Sequence, residues 1–201
     1  MPYKPSRAFF EQPPADVALQ LLGAVLLVRN DGGGEVGGVI VETEAYLAQN
    51  DPAAHHFTRG HTKATAAKFM NGGTLYIHSI HRHFCMDVVT QSEGVPSSVL
   101  IRALEPLIGI DVMQQRRITG DLMNLTSGPG KLTQALAIDS KFNCQDILAP
   151  SCNLNILLPK TPLPLENIAQ SRRIGLTQAT QMELRFFIKE NAHLSRKNVH
   201  D

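Results

Sequence analysis

The alternation of apolar and polar positions is clearest in residues 38–46 (GVIVETEAY). β-Branched residues occupy every second position, and a period of two is typical of a strand. Glycines precede this run and the polar residues 49–52 follow it, so both ends carry turn signals. Because successive strand side chains point to opposite faces, Glu42 and Glu44 are predicted to share one face.

A helix and a second strand are predicted before this run. Residues 13–23 have helical periodicity, with Asp16 as the N-cap and Gly23 as the C-terminal stop. Residues 24–29 are rich in β-formers, and the turn sequence NDGGG at 30–34 should join them to the Glu44 strand as a hairpin. The predicted helix places an apolar stripe inward, formed by Val17, Ala18, Leu21 and Leu22.

The remaining pattern mixes short helices with strands. It predicts a helix over 62–70, strand structure over 74–89 and 98–104, a helix from Glu105 to Arg117, a helix from 127–131 onward, and a last strand at 185–189 after a loop-like tail. Hairpin connections outnumber βαβ units. The sequence therefore predicts an α+β fold, a single domain over residues 1–201, with a mostly antiparallel sheet and helices around it.

Composition agrees with one globular domain. The chain has 201 residues, 43% hydrophobic and 18% charged, with a formal net charge of +1. No run approaches the roughly 20 apolar residues that span a bilayer. The N-terminus lacks the apolar core of a signal peptide. The chain has three cysteines, an odd number without paired spacing, which argues against a disulfide framework. We expect a cytoplasmic protein that does not associate with membranes.

The charge distribution is uneven. Residues 52–86 contain no Asp or Glu but hold Arg59, Lys63, Lys68, Arg82 and six of the eight histidines. A basic, histidine-bearing surface can bind an anionic ligand, and isolated carboxylates beside it can carry out a chemical step on that ligand.

Glu44 is the candidate general base. It stands at the end of an apolar strand, and a carboxylate placed there can deprotonate a water for attack on an electrophilic carbon. The alternative is that Glu42 and Glu44 both lie on a solvated face. Arg102 lies in the apolar run 99–104, so it needs an anionic partner, either Glu44 or a substrate phosphate.

Flat side chains accompany this carboxylate along the chain. Tyr46 and His55 flank it, and Tyr76, His78 and His81 come from the next predicted strands. Together they would form a slot for a planar group such as a nucleobase. The alternative assigns the tyrosines to the core and the histidines to the surface.

Two other interpretations of these segments remain open. His81, His83, Cys85 and Asp87 alternate along one strand and suit zinc or iron. Four such ligands spread over about 20 Å, so only two of them, with His55 or His61, could share an ion. The glycine-rich residues 128–132 could hold a phosphate at a helix start, although close packing fits them better because P-loop spacing is missing.

Taken together, the motifs resemble the alkyladenine (3-methyladenine) DNA glycosylase family, of mammalian type with bacterial relatives. The matching stretches are residues 41–46 (VETEAY), 51–55 (DPAAH), 73–76 (GTLY), 99–106 (VLIRALEP), 127–132 (SGPGKL), 173–175 (RIG) and 184–187 (LRFF). They occur in order over most of the chain, which makes the resemblance specific.

The resemblance implies a curved antiparallel sheet with a protruding β-hairpin that inserts into DNA. It implies a monofunctional base-excision repair glycosylase that flips alkylated or deaminated purines and hydrolyses the N-glycosidic bond. Such an enzyme needs no metal and no organic cofactor. Its partner is double-stranded DNA containing damaged purines, and we expect a monomer associated with the nucleoid of a bacterium.

The resemblance also implies residue roles. Glu44 matches the family's water-activating glutamate, Arg102 the arginine beside that water, and Tyr46 and His55 the residues that contact the extruded base. His78 stands where a second pocket tyrosine is usual. His81 stands at the wedge position that fills the gap left in the DNA.

Asp87 departs most from the family, which commonly has asparagine there on the pocket floor. An ionised Asp87 offers acceptors only, which predicts weaker exclusion of guanine-type lesions. Alternatively, Asp87 is protonated and held neutral beside Glu44. An unchanged ratio of hypoxanthine to 7-methylguanine release in Asp87→Asn would contradict a role in lesion choice.

Three other functions fit parts of the sequence. A damage-binding protein that has lost catalysis would bind lesions without releasing bases. A metal-dependent hydrolase would lose activity in chelator. A bifunctional glycosylase would form a lysine adduct trapped by borohydride, although no lysine stands at a matching catalytic position.

Overall fold

Strand β2 (Glu35–Tyr46) lies at the centre of the sheet. In the computed structural model, which describes residues 1–30, 32–80 and 82–195, β2 pairs along one side with β5 (Ser97–Ile108). Its other side pairs first with β1 (Val25–Arg29) and then with β8 (Arg185–Ile188). The predicted hairpin of residues 24–29 with the Glu44 strand is therefore confirmed.

The other strands extend the sheet in both directions. They are β3 (Leu75–Ile80), β4 (His83–Thr90), β6 (Leu154–Leu157) and β7 (Ile168–Ser171). The strand order is β3-β4-β5-β2-β1-β6, with β8 beside β2 and β7 beside β8. Every pairing between the eight strands found in the described ranges is antiparallel, which confirms the predicted α+β class.

Short helices cover the sheet. They are α1 (Arg7–Phe10), α2 (Pro14–Leu21), α3 (His55–Arg59), α4 (Ile110–Arg117) and α5 (Pro129–Leu136), with 3-10 turns at Ala66–Phe69, Leu122–Asn124, Ser140–Phe142 and Leu165–Asn167. The predicted inward stripe of α2 is confirmed, since Val17, Ala18, Leu21 and Leu22 are buried. None of the helices in the described ranges is long and apolar enough to cross a membrane.

One continuous apolar core lies between the sheet and these helices. Its fully buried members include Leu21, Ile40, Met86, Ile101, Leu104, Leu132 and Leu136. Because this core supports one face of β2, β4 and β5, it holds in place the strand positions from which the site side chains extend.

The central strand begins earlier than predicted. Gly37 and Gly38 were expected to mark the start of the strand, but β2 starts at Glu35 and runs through both. A Cβ on Gly37 would lie 2.2 Å from the carbonyl oxygen of Leu26, and one on Gly38 would lie 2.3 Å from that of Glu105. Glycine is required here because neighbouring strands approach too closely for any side chain.

The helix predicted from Glu105 was placed too early. Strand β5 continues to Ile108, and α4 begins at Ile110 after a left-handed Gly109. Pro106 is tolerated in the strand because β4 pairs with β5 only over Ser97 to Leu100 in the described residues, so the missing N–H lies at an edge.

Four smaller predictions were also wrong. Helix α2 starts at Pro14 rather than after an Asp16 cap. The helix expected over 62–70 is only the 3-10 turn Ala66–Phe69, and α3 precedes it. The pattern predicted continuous strand structure over 74–89, but this run is a hairpin of two strands in which Ile80 pairs with His83, and a hairpin is what the resemblance implied for residues 76–87. The tail contains β6 and β7 before the predicted strand β8.

Candidate active site

A pocket lies where strands β2 to β5 run beside the loop that connects β7 to β8. Its walls come from all four strands, from α3 and from the start of α5. The lining residues are Tyr46, Ala53, His55, Lys68, His78, Ile80, Cys85, Asp87, Leu100, Arg102, Pro129, Ile174, Gly175 and Leu176. The pocket therefore gathers Arg102 with Tyr46, His55, His78 and Asp87, to which the resemblance gave places in the base pocket. Tyr76, from the predicted slot of rings, is not among the lining residues.

Glu44 lies behind this wall and is fully buried. Its Oε1 accepts from the backbone N–H of Ile174 at 2.8 Å and lies 3.2 Å from Nη1 of Arg102. Its Oε2 accepts from the Tyr46 hydroxyl at 2.9 Å. A buried carboxylate held by three donors has a fixed orientation, and all three donors belong to pocket-lining residues.

Burial raises the pKa of Glu44 above the ordinary glutamate value, while Arg102, the Ile174 amide and the Tyr46 hydroxyl lower the pKa part of the way back. A carboxylate with a raised pKa is a stronger base than an exposed one, and this combination of burial and a specific cation is common at catalytic sites.

Arg102 connects two buried carboxylates. Its Nε lies 3.2 Å from Oε1 of Glu42, and its Nη1 reaches Glu44. Glu42 also accepts from Nε of Arg185 at 2.7 Å, and from the N–H and hydroxyl of Ser195 at 2.7 and 2.8 Å. The shared face predicted for the two glutamates is confirmed. The alternative of a solvated face is wrong, because both glutamates have no exposed surface.

A second ion pair fixes Tyr46. Arg173 donates from Nη1 and Nη2 to the two oxygens of Asp51, both at 2.7 Å, and this pair is almost completely buried. The Arg173 guanidinium lies 4.5 Å from the centre of the Tyr46 ring. Burial and the neighbouring Glu44 raise the pKa of Tyr46 well above its usual value, so its hydroxyl remains a donor. Arg173 thus supports the ring that holds Glu44.

Three flat rings meet on another wall of the pocket. Nδ1 of His55 lies 2.9 Å from the Tyr76 hydroxyl. The His78 ring stacks on Tyr76, with centroids 5.0 Å apart, and meets the edge of His55 at 4.6 Å. Burial and the neighbouring His78 lower the pKa of His55 to about 4. His55 is therefore a neutral ring near neutral pH.

A buried polar chain forms the pocket floor. Nζ of Lys68 donates to Oγ of Ser98 at 2.6 Å, Ser98 donates to Oδ2 of Asp87 at 2.7 Å, and Oδ1 of Asp87 lies 3.2 Å from Nε2 of His78. Burial acts to raise the pKa of Asp87, but His78, Lys68 and Ser98 outweigh it and bring the pKa down to about 2. Of the two forms that the sequence left open, these contacts favour ionised Asp87.

Sequence reasoning missed several residues of this site. Lys68 was noted only as part of a basic window, yet its side chain is buried in the pocket wall. Ser98 lay in a predicted strand and Ile174 in a matching motif, but neither carried a further signal, because a hydroxyl or backbone N–H becomes informative only once its partner is known. His81, predicted as the wedge, lies outside the described residues.

The metal alternative finds no support in the described part of the chain, where no three His, Cys, Asp or Glu side chains converge. His61 packs against Phe69 and His83 is exposed, so neither joins Cys85 or Asp87.

At the start of α5, a Cβ on Gly130 would lie 2.8 Å from Cβ of His83. Close packing against the hairpin therefore accounts for Gly130.

Comparison with known proteins identifies relatives of this chain. The model of the methylpurine-DNA glycosylase family matches residues 8–192. A protein of Methanoculleus marisnigri is 44% identical over 193 residues, covering 94% of this chain and 97% of its own length. One of Rhodopirellula baltica is 44% identical, covering 93% and 81%, and one of Oceanobacillus iheyensis is 41% identical, covering 95% of each. All three carry the name "Putative 3-methyladenine DNA glycosylase".

Proposed function

Because this chain belongs to the methylpurine-DNA glycosylase family, we propose that it removes damaged purines from duplex DNA by hydrolysing the N-glycosidic bond. The proposed substrates are 3-methyladenine, 7-methylguanine and hypoxanthine. One observation carries the proposal: Glu44 is buried directly behind a ring-lined pocket and is oriented by Arg102, Tyr46 and the Ile174 amide.

The pocket chemistry suits a flipped nucleotide. A base inside the duplex cannot reach a buried carboxylate, so the nucleotide must leave the stack, at a cost of about a few kcal/mol that is least for damaged or mispaired bases. Tyr46, His55 and His78 present flat surfaces around the opening, and base stacking on such rings offsets part of the cost. Asp87, linked to His78, would contact the base edge from the floor.

Glu44 is the proposed base. It would accept a proton from the water that attacks the anomeric carbon, while its negative charge stabilises the oxocarbenium-like transition state. Arg102 holds one oxygen of this carboxylate and lines the pocket, which supports the proposal that it orients the same water. Glu42 acts one step further away by fixing Arg102 from the other side.

The proposal sets the pH dependence of the reaction. The base must be ionised, and the pKa of Glu44 is raised above the 4.5 of an ordinary glutamate. The rate of 7-methylguanine release should therefore fall on the acid side with an apparent pKa above 4.5. Tyr46→Phe removes a hydrogen bond that lowers this pKa, so its acid limb should move to higher pH.

Single-turnover rates between about pH 4 and 8 measure this limb, with circular dichroism confirming that the protein stays folded. A rate that stays constant down to the range of an ordinary glutamate, or an acid limb unmoved in Tyr46→Phe, would contradict the assignment of Glu44 as base.

The function itself is tested by release of free bases from methylated duplex DNA in excess chelator, with borohydride added to a parallel sample. We expect 3-methyladenine and 7-methylguanine to appear, release to survive the chelator, and no covalent adduct to be trapped. The borohydride sample is needed because buried Lys68 lines the pocket; a trapped adduct would indicate an amine nucleophile. Lesion binding without any release would indicate a damage-binding protein instead.

We also propose that the partner is double-stranded DNA containing damaged purines and that the protein acts as a monomer. The acid-free residues 52–86 would supply phosphate contacts, so affinity should fall steeply with salt.

A further inference from the structure

A buried lysine and a buried carboxylate are joined through one hydroxyl at the floor of the pocket. Lys68, in the 3-10 turn Ala66–Phe69, is 1% exposed, and Asp87, on β4, is 4% exposed. Nζ of Lys68 lies 2.6 Å from Oγ of Ser98, and this Oγ lies 2.7 Å from Oδ2 of Asp87. An unpaired charge is costly in a protein interior, so each of the two charged groups needs the other.

The hydrogen bonds of this chain run from Lys68 toward Asp87. An ammonium group can only donate, an ionised carboxylate can only accept, and a serine hydroxyl does both. Nζ of Lys68 also lies 5.2 Å from the centre of the Tyr76 ring, a distance at which an aromatic face stabilises a cation. Burial lowers the pKa of Lys68, and the carboxylates of Asp87 and Asp51 oppose this shift. These contacts favour the charged forms of Lys68 and Asp87.

Asp87 keeps acceptor sites that the pocket can reach. Its side chain is 5% exposed and lines the pocket. Among the residues that the structure describes, Oδ1 has one contact, to Nε2 of His78, and Oδ2 accepts once, from Ser98. The two oxygens of a carboxylate offer about four acceptor sites, so roughly two remain for a ligand. A base that enters the pocket therefore meets a negatively charged acceptor at Asp87.

We propose that Lys68 is a positioning residue that holds Asp87 charged and fixed through Ser98, so that the pocket floor selects cationic purines that donate from an amino group. This inference rests on the proposed glycosylase function. 7-Methylguanine is cationic and keeps the 2-amino group of guanine, whereas hypoxanthine is neutral and has no amino group. A charged floor should therefore favour 7-methylguanine over hypoxanthine more strongly than a neutral floor does.

The pairing of Lys68 with Asp87 is tested first by urea denaturation, which needs no activity. Lys68→Met and Asp87→Asn each leave one buried charge without its partner, so each should lower the urea concentration at the unfolding midpoint. Replacing both groups leaves a neutral floor of similar volume, so the double variant Lys68→Met/Asp87→Asn should unfold closer to wild type than either single variant. Lys160→Met, at an exposed lysine, is the matched control and should not restore the stability of Asp87→Asn.

The selection is tested by single-turnover release of 7-methylguanine and hypoxanthine from otherwise identical duplexes. Asp87→Asn replaces the charged acceptor by a neutral amide, so the ratio of the 7-methylguanine rate to the hypoxanthine rate should fall by about tenfold or more. Lys68→Met should lower the ratio in the same direction, because Asp87 loses the cation that favours its ionised form. The double variant should change the ratio no further than Asp87→Asn does, because Lys68 acts through Asp87.

Each other outcome overturns the inference. A double variant that is less stable than both single variants would mean that Lys68 and Asp87 do not support each other. A wild-type lesion ratio in Lys68→Met would mean that Lys68 only stabilises the fold, and a ratio lower in the double variant than in Asp87→Asn would mean that Lys68 acts on the base independently. If Lys68→Met is too unstable to assay, the comparison of the double variant with Asp87→Asn decides alone.

The two proposals fail in different ways. Wild-type protein that releases damaged bases, with a lesion ratio that is unchanged in Asp87→Asn and in the double variant, would refute the selection while leaving the proposed function intact. Wild-type protein that releases neither base would refute both the proposed function and the selection.

Discussion

Glu44→Gln is expected to abolish base release while leaving binding of the damaged duplex. Glutamine has nearly the same shape but cannot accept the proton of the attacking water, and it removes the charge that stabilises the oxocarbenium-like transition state. The combined loss should be on the order of 10³-fold or more in the single-turnover rate. The measurement is hypoxanthine and 7-methylguanine release under single turnover, with binding followed by gel shift.

Stability should change little in this variant, because burial already raises the pKa of Glu44 and so disfavours its charged form. Glu93→Gln is the matched control, since Glu93 is exposed in the turn between β4 and β5. A Glu44→Gln protein that binds and releases bases at the wild-type rate would remove the catalytic role of Glu44. Equal losses of base-release rate in Glu44→Gln and Glu93→Gln would mean that the loss comes from general damage to the protein and not from a role of Glu44.

Arg173→Ala is expected to be among the most destabilising single changes at this site. It leaves Asp51, which is fully buried, without its two hydrogen bonds from the guanidinium. Removing one partner of a buried ion pair typically costs about 3–5 kcal/mol. The change also removes the cation above the Tyr46 ring and loosens the segment whose Ile174 amide holds Glu44, so base release should fall as well.

Urea denaturation measures the loss in free energy of unfolding, and Arg172→Ala provides the control because Arg172 is exposed beside Arg173 in the chain. The control should differ from wild type by less than about 0.5 kcal/mol. If the two variants unfold at the same urea concentration, the buried pair does not stabilise this loop.

The sequence was most informative where one periodic strand carries the chemistry. Residues 38–46 placed both glutamates on a shared face, and the apolar surroundings of Arg102 showed that it needed an anionic partner. Both predictions are confirmed by the distances from Arg102 to Glu42 and Glu44. Such features are local, because strand periodicity and the cost of burying a charge do not depend on the rest of the fold.

Contacts between distant parts of the chain could not be predicted in this way. Asp51 and Arg173 are separated by 122 positions, and neither residue type nor spacing shows that they meet. Lys68 resembled the other cations of its window until the structure placed it against Ser98. The predicted start of α4 was wrong for a related reason, because a proline such as Pro106 is found in the first turn of a helix as readily as at the edge of a sheet.

The motif resemblance supplied roles that physical reasoning alone left open. The bare sequence left both the slot of flat rings and the core-and-surface alternative open for Tyr46, His55 and His78. The structure brings these rings to one pocket. Their contact with an extruded base remains a prediction, as does the wedge role of His81.

The most direct test is the appearance of free hypoxanthine from a duplex carrying a single hypoxanthine, followed with wild type and Glu44→Gln in excess chelator. The account predicts that wild type releases the base and leaves an abasic site, whereas the variant binds the duplex and releases nothing. Release by wild type that stops in chelator, or equal release by both proteins, would contradict the claim that Glu44 activates the water in this pocket.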